Sequence, residues 1–543
     1  MTDTRILADS VIGYPDSLAI FSRPLQNVGI RNSKKVEHLP INDITSQSVI
    51  VFEVKPSGSG YLDLSKTRLK ITSKIVKADG SVIKDFSKVI QENKLNDEEA
   101  VVSNTKTQSD GKEADTGSTT ASTGSTTASS GSTTSSTTST AQASDKSTSS
   151  TSSADSTSSM NASKSSGKTS TNNQSTTIDD ESLQNIVAPC QNFFHAMFER
   201  CDIQLQNNLV TDSSTTYGYN ALYKALQASR EEKKSTMAMQ MYFESDYDYS
   251  VNESLNWLSS KNPGLVKRGE AFTGSREVTM CGRIASEVFD VERLLVFGVP
   301  LKVTLYPSQP QFCLLSPMIE PPPNFKFVIT KAVLEVVYID IAPEIVAAHA
   351  EVMKNEPALY PFKKVETKLF AIPQNSYSLE VNSPFESRIP SSLVLGIVDA
   401  ESVHGSFAKE SLRFEHSNLR VIQCVVDGMD VGDSPIHTKY GDSAHKSSYM
   451  EGYNSMKGFG GIPNVVPYGY DAYFNGLTLY RFQFEDQESV TGSRGELIPL
   501  QRSGNLRVKL QFDKPVKKPK TLVAFGEFAS GFKIDRNRAV HPM

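Results

Sequence analysis

The side chains able to transfer protons, ligate metals or attack a substrate are spread through this chain without the spacing such chemistry needs. The eight histidines are His38, His195, His349, His404, His416, His437, His445 and His541, and none stands in an H-E-x-x-H, paired-histidine or Cys/His arrangement. His195 lies in an apolar segment, where a histidine satisfied in a core or interface is expected rather than a ligand. The five cysteines, Cys190, Cys201, Cys281, Cys313 and Cys424, include no C-x-x-C pair, so buried reduced thiols are expected. No G-x-S-x-G elbow and no Walker-type loop occurs. Gly458-Phe459-Gly460-Gly461 lacks a following Lys-Ser/Thr and reads as a flexible loop after a helix. The acidic run Glu244-Ser245-Asp246-Tyr247-Asp248 has neither the glycine nor the distal glutamate of a calcium hand, and reads as a solvated loop. Lys517-Lys518-Pro519-Lys520 has the form of a minimal nuclear-import patch; a lysine-rich turn between two strands has the same form and is the expected reading. No catalytic, cofactor-binding or metal-ligating residue is assigned, no cofactor is expected, and an enzyme is not predicted.

The elements around these residues are mainly strands. A strand sends successive side chains to opposite faces, so strict alternation of apolar and polar residues marks a half-buried one. Leu506, Val508, Leu510 and Phe512 alternate in this way with Arg507, Lys509, Gln511 and Asp513. Lys514–Pro519 breaks the run, and Thr521–Phe528 follows with apolar side chains on both sides. The pair has the form of an ordinary hairpin. As the end of a jelly roll, its two strands would instead lie in opposite sheets. Leu69, Ile71 and Ile75 alternate with Arg68, Lys70, Thr72 and Lys74, and a Gly-Ser turn joins this run to the short apolar stretch Val49–Val54.

The chain has 543 residues, long enough for two to four domains. Apolar residues make up 38%, below the roughly 45–50% of a typical globular domain, and one polar segment explains the shortfall. From about Val102 to Thr177 the chain is mainly Ser, Thr, Gly and Ala and cannot bury enough apolar surface to offset its ordering entropy. Both a linker and an insertion in a surface loop fit this tract. Because the strand pattern is incomplete before it and resumes after it, the insertion is the expectation. The formal net charge of -5 offers no basic field for bulk binding to nucleic acid. No signal peptide and no apolar run of membrane-spanning length is visible, so a soluble protein is expected.

Residues 1–45 hold no sustained period and read as an arm or irregular lead-in. Helices are expected after Pro189, at Tyr217–Ser229 with Tyr219, Leu222, Tyr223 and Leu226 on one side, at Pro343–Lys354, and at Lys446–Lys457. Pro321, Pro322 and Pro323 forbid helix before them and mark a domain boundary. The expected division is an arm at 1–45, a first jelly roll at 46–320 with the insertion at 102–177, and a second at 321–543. About eight strands follow the prolines, the number a jelly roll needs. The predicted fold class is all-β, two consecutive jelly-roll barrels with short loop helices.

Val187, Pro189, Phe193 or Phe194, His195, Phe198, Asp202 and Leu205 lie in a V-x-P-x-x-x-F-x-H-x-x-F segment leading into a D-V-x-L-N-G-like hairpin. In that order and spacing the chain resembles capsid-type proteins of Polinton/Maverick elements and adintovirus-like viruses. Asn207-Asn208 replaces the usual Asn-Gly. Gly282-Arg283, Phe312-Cys313-Leu314 and Ile534-Asp535-Arg536-Asn537-Arg538 match further, and the resemblance runs from about Leu62 to Arg538 outside the Ser/Thr tract. It implies a double jelly-roll major capsid protein of adenovirus hexon-like architecture, forming homotrimers that tile an icosahedral shell. Neighbouring capsomers and minor capsid or penton proteins would be its partners, without a direct nucleic-acid site or a membrane span. The virion would be its place, after synthesis in the host cytoplasm and with assembly in the nucleus as an option. Two rival readings are a minor or vertex capsid protein, which needs one jelly roll, and a β-sandwich glycan-binding module, which needs an exposed aromatic platform.

Overall fold

Two sets of eight antiparallel strands, each set laid out in the same order, account for the alternating runs of the sequence. A computed structural model describes residues 29–44, 48–55, 60–88, 183–211, 214–247, 254–318, 323–431, 434–440, 450–462, 464–484 and 502–543. The first set comprises β1 (Ile30–His38), β2 (Ile50–Val54), β3 (Tyr61–Lys77), β4 (Phe198–Leu205), β5 (Asn208–Leu209), β6 (Val278–Gly282), β7 (Leu301–Pro307) and β8 (Phe325–Ile341). They form two sheets, ordered β1-β8-β3-β6 and β2-β7-β4-β5. The second set comprises β9 (Ala358–Ile372), β10 (Ser378–Asn382), β11 (Ser392–Asp399), β12 (Leu419–Val426), β13 (Met429–Asp430), β14 (Leu479–Gln483), β15 (Leu506–Phe512) and β16 (Lys520–Ile534). Their sheets are ordered β9-β16-β11-β14 and β10-β15-β12-β13. Numbered within each set, both barrels read 1-8-3-6 and 2-7-4-5, the two-sheet arrangement of a jelly roll.

Alternation places the cores. Leu69, Ile71 and Ile75 of β3 are buried while Arg68, Lys70, Thr72 and Lys74 between them are half-exposed. Leu506, Val508, Leu510 and Phe512 of β15 are buried in the same way. The strands β15 and β16 lie in different sheets, as the jelly-roll reading of this stretch requires. Lys514–Pro519 is thus a connection from one sheet to the other. At Asp427-Gly428 the chain turns tightly from β12 into β13, with φ of 50° and 87°. The corresponding turn of the first barrel, from β4 into β5, uses Gln206 and Asn207 at φ of 46° and 67°. The turn thus falls one residue before the Asn207-Asn208 pair that the resemblance set in place of Asn-Gly: Asn207 takes the left-handed conformation and Asn208 already lies in β5.

Two sequence expectations change. Residues 30–38 are not an irregular arm: β1 pairs with β8 from Ile30↔Ile341 to His38↔Leu334. Its side chains show no period because it is an edge strand whose two faces are largely exposed. Lysines on such an edge discourage further strands from adding to it, and Lys35 also pairs with Glu335 of β8 at 3.0 Å. The prolines at 321–323 do not mark the change of barrel, because β8 follows them and joins the sheet of β1, β3 and β6. The sheets change instead across helix α1 (Pro343–Val352), whose side chains are all at least partly exposed. The two strands expected on either side of the Gly-Ser stretch are present as β2 and β3, which belong to different sheets. The Ser/Thr tract itself lies outside the described residues. The strands before and after it, β3 and β4, both belong to the first barrel, as an insertion within one domain requires.

Candidate functional site

Among the described residues, buried polar and aromatic groups converge at the junction between the two barrels. Helix α2 (Tyr217–Gln227) lies in the connection between β5 and β6, and eight of its residues are buried, including Tyr219, Leu222, Tyr223 and Leu226. Tyr219 and Tyr223 cross to the second barrel. The Tyr219 hydroxyl donates to the Ser411 carbonyl oxygen at 3.2 Å, and its ring lies 6.3 Å from that of Phe414. The Tyr223 hydroxyl donates to Oε1 of Glu527 at 2.8 Å, and Gln227 Nε2 donates to the same oxygen at 3.0 Å. The Tyr223 ring packs 5.0 Å from Phe525 and 4.9 Å from Phe459. Burial pushes the Tyr223 phenol well above its ordinary range, with the Glu527 carboxylate adding to the shift, so it remains a donor. This explains why β16 is apolar on both sides. Phe525 and Glu527 share one face of the strand, and both meet α2.

Beside this aromatic contact lies a buried ionic cluster. Helix α3 (Pro263–Phe272) starts at Asn262, whose Oδ1 accepts from the Gly264 and Leu265 amides at 3.1 and 3.3 Å, and Pro263 fits the first turn. It carries Arg268, 1% exposed. Arg268 Nε donates to the Pro189 carbonyl oxygen at 2.8 Å and Nη1 to Gln191 Oε1 at 3.1 Å. The guanidinium pairs closely with Asp246 and, at 3.5 Å, with Glu410 Oε2. Glu410 Oε1 accepts from the Gln191 amide at 2.9 Å, and Arg413 Nη2 donates to the Asp246 carbonyl oxygen at 3.0 Å. Two carboxylates and two guanidiniums therefore balance across the junction. Asp246 is a correction to the sequence reading. It is 4% exposed on a one-turn helix, Glu244–Tyr247, and not in a solvated loop, because Arg268 supplies its counter-charge. Gly269 on the next position of α3 is required by space: a Cβ there would run into the ring of buried Trp257.

His195 is a core histidine, its Nδ1 3.0 Å from the Tyr217 hydroxyl and its Nε2 2.9 Å from Gln240 Oε1. Burial lowers its pKa to about 4, against a smaller opposing effect of the Gln240 hydrogen bond, so the ring is neutral. Cys190, Cys201, Cys313 and Cys424 are buried free thiols, each pushed up by burial, and Cys281 is half-buried. The glycine-rich loop follows a helix, Met450–Ser455, and is anchored by Phe459 in the junction. Lys517 and Lys518 are exposed on the turn before β16, whereas Lys520 pairs with Asp399 and Glu415. His445 and Asp248 lie outside the described residues.

No family model matches the chain. A curated protein of Caenorhabditis elegans, "Uncharacterized protein F54H12.2", is 23% identical over 360 residues, which is 64% of this chain and 80% of that protein. Among solved structures, one chain of the Sputnik virophage is similar over 100% of this chain and 94% of its own, with 11% identity and a TM-score of 0.49. The Faustovirus major capsid protein is similar over 97% and 92%, at 7% identity and a TM-score of 0.49. The mavirus major capsid protein is similar over 100% and 97%, at 10% identity and a TM-score of 0.43.

The junction continues toward the chain termini. The Tyr360 hydroxyl donates to the Leu294 carbonyl oxygen at 3.1 Å and accepts from the Val296 amide at 3.0 Å. The Arg538 guanidinium lies 4.4 Å from the Phe297 ring centre, and Asn208 Nδ2 donates to the Val540 carbonyl oxygen at 2.6 Å. A cavity of about 380 Å³ remains between the barrels, with Asn220 and Glu287 on one side and Lys364, Glu366 and Arg388 on the other. Glu366 takes both terminal nitrogens of Arg388, at 2.9 and 2.8 Å, so its charge is neutralised within the wall. Sequence reasoning found α2 and its apolar side. It missed Arg268, Glu410 and Glu527, whose partners are distant in sequence and leave no local spacing to detect.

Proposed function

We propose that the chain is a major capsid subunit, with its two barrels joined as one block that trimerises into a pseudo-hexagonal capsomer of an icosahedral shell. The observation that carries this reading is the repeated strand order. Two barrels of identical connectivity offer two similar walls, and three copies around a closed axis would offer six. The polar and aromatic junction supports a fixed angle between them, which a tile needs. The sequence resemblance to Polinton/Maverick capsid proteins points the same way, and the role named for the Faustovirus and mavirus proteins is carried to this chain as part of the proposal. The first barrel would run through β8 and the second begin at β9. Function would come from burying complementary surface, without catalysis, against sister copies, neighbouring capsomers and minor or penton proteins in the virion. Two consecutive barrels disfavour a single-barrel vertex protein. Trp257, at 2% exposure, provides no platform for a glycan.

Size-exclusion chromatography with light scattering is the test. A particle of three times the 59.5 kDa chain mass is expected. A strict monomer at high concentration would overturn the proposal.

A further inference from the structure

The two barrels meet through unlike surfaces. The first barrel offers its strand 5 and the connection that follows it, as Asn208 of β5 and Asn220 and Tyr223 of α2. The second receives them on its strands 1 and 8 and just beyond. The Thr367 hydroxyl of β9 donates to Asn220, Glu527 of β16 accepts from Tyr223, and the Val540 carbonyl oxygen accepts from Asn208. A head-to-tail contact of this kind can be repeated by further copies, and it closes into a ring where the rotation allows. The surfaces that would continue the series are strand 5 of the second barrel, β13, and strands 1 and 8 of the first, β1 and β8. Both ends are open to solvent in the single chain. Met429, at the turn into β13, is 72% exposed, and every residue of β1 from Ile30 to Lys35 is exposed.

The place of contact follows from the same correspondence. Asn208 meets the chain beside the end of β16, since Val540 pairs with Ile534. The matching place on the first barrel is the end of β8, where Ile341 pairs with Ile30 at the start of β1. Charge fits as well. The turn at residues 427–430 carries Asp427 and Asp430 and no basic side chain, whereas β1 opens with Arg31, Lys34 and Lys35. Met429 and the exposed Ile30 supply an apolar pair at the centre.

We infer that the β12–β13 hairpin of one chain docks on the start of β1 and the end of β8 of a second copy. The inference rests on the capsomer reading and names the surfaces that close its ring, so that contacts within and between chains alternate. Side chains make the contact and no strand is added to the edge, just as β5 and β9 do not pair within the chain.

The test uses the full chain carrying Met429→p-benzoylphenylalanine, an exposed position at which folding should be kept. The sample is sized by light scattering, irradiated and mapped by mass spectrometry. Products above the single-chain mass on a denaturing gel are expected, cross-linked to residues 30–35 or 339–343 of another chain. Asp430→Arg should cut the yield about tenfold, and adding Arg31→Glu and Lys34→Glu should restore it. Trimers whose cross-links land elsewhere, stay within one chain or fail to form would overturn this inference and leave the capsid reading standing. So would a yield unmoved by the charge reversal. Monomers throughout would overturn both.

Discussion

The two barrels share one strand order and differ almost entirely in what hangs from it. Between the third and fourth strands, the second barrel spends residues 400–418, while the first spends residues 78–197, including the Ser/Thr tract. Between the fifth and sixth strands, the first barrel carries α2, α3 and the one-turn helix at Glu244–Tyr247. Those are the elements that supply Tyr219, Tyr223, Arg268 and Asp246 to the junction. The second barrel answers with side chains from its sheet and loops, such as Glu410, Arg413 and Glu527, and with Phe459 from its own connection between the fifth and sixth strands. Connectivity is the common property of the barrels, and the long connections of the first make the contact. Loops on a fixed scaffold are free to do so because added length costs little closure entropy.

That contrast can be broken most strongly at Arg268. Arg268→Met would leave buried Asp246 without its counter-charge and remove one partner of half-buried Glu410, a loss of about 3–5 kcal/mol. Urea denaturation should show it, and a separation into two transitions would reveal the barrels unfolding apart. A change under about 1 kcal/mol would mean the cluster does not hold the junction. The equivalence of the barrels is tested by Leu305→Ala on β7 and Leu510→Ala on β15. Both side chains are fully buried on the seventh strand of their barrel. Each substitution should cost about 2–5 kcal/mol, and a clear gap between them would show that matched order does not imply matched packing.

The third test is pH. Folded His195 stays neutral down to about pH 4, while an unfolded histidine protonates near its ordinary 6.5. Between those values the unfolded chain binds the extra proton, so stability falls as pH drops from 6.5 toward 4 and is unaffected by this group above that window. The contribution lost is roughly 3 kcal/mol, taking 1.36 kcal/mol per unit. His195→Gln should flatten that part of the stability curve. A slope unchanged by the substitution would contradict the neutral assignment.

Much of the fold was legible because burial on one face writes a period of two into a strand. Leu506–Phe512 and Leu69–Ile75 declare themselves in this way. Ile30–His38 does not, since an edge strand exposed on both faces needs no alternation and is held by its backbone and Lys35. Pro321–Pro323 marked a break in structure but carried no information on which sheet the next strand would join. The junction was legible only in part. The apolar side of α2 was visible in its spacing, but the reach of its hydroxyls to Ser411 and Glu527 depends on tertiary placement. Asp246 looked solvated because charge alone does not reveal a buried partner.

Electron microscopy of the purified full chain tests the central claim most directly. Six-lobed, pseudo-hexagonal particles, each built from three two-barrel subunits, are the predicted result. A field of separate two-lobed monomers, unchanged as the protein is concentrated, would contradict it.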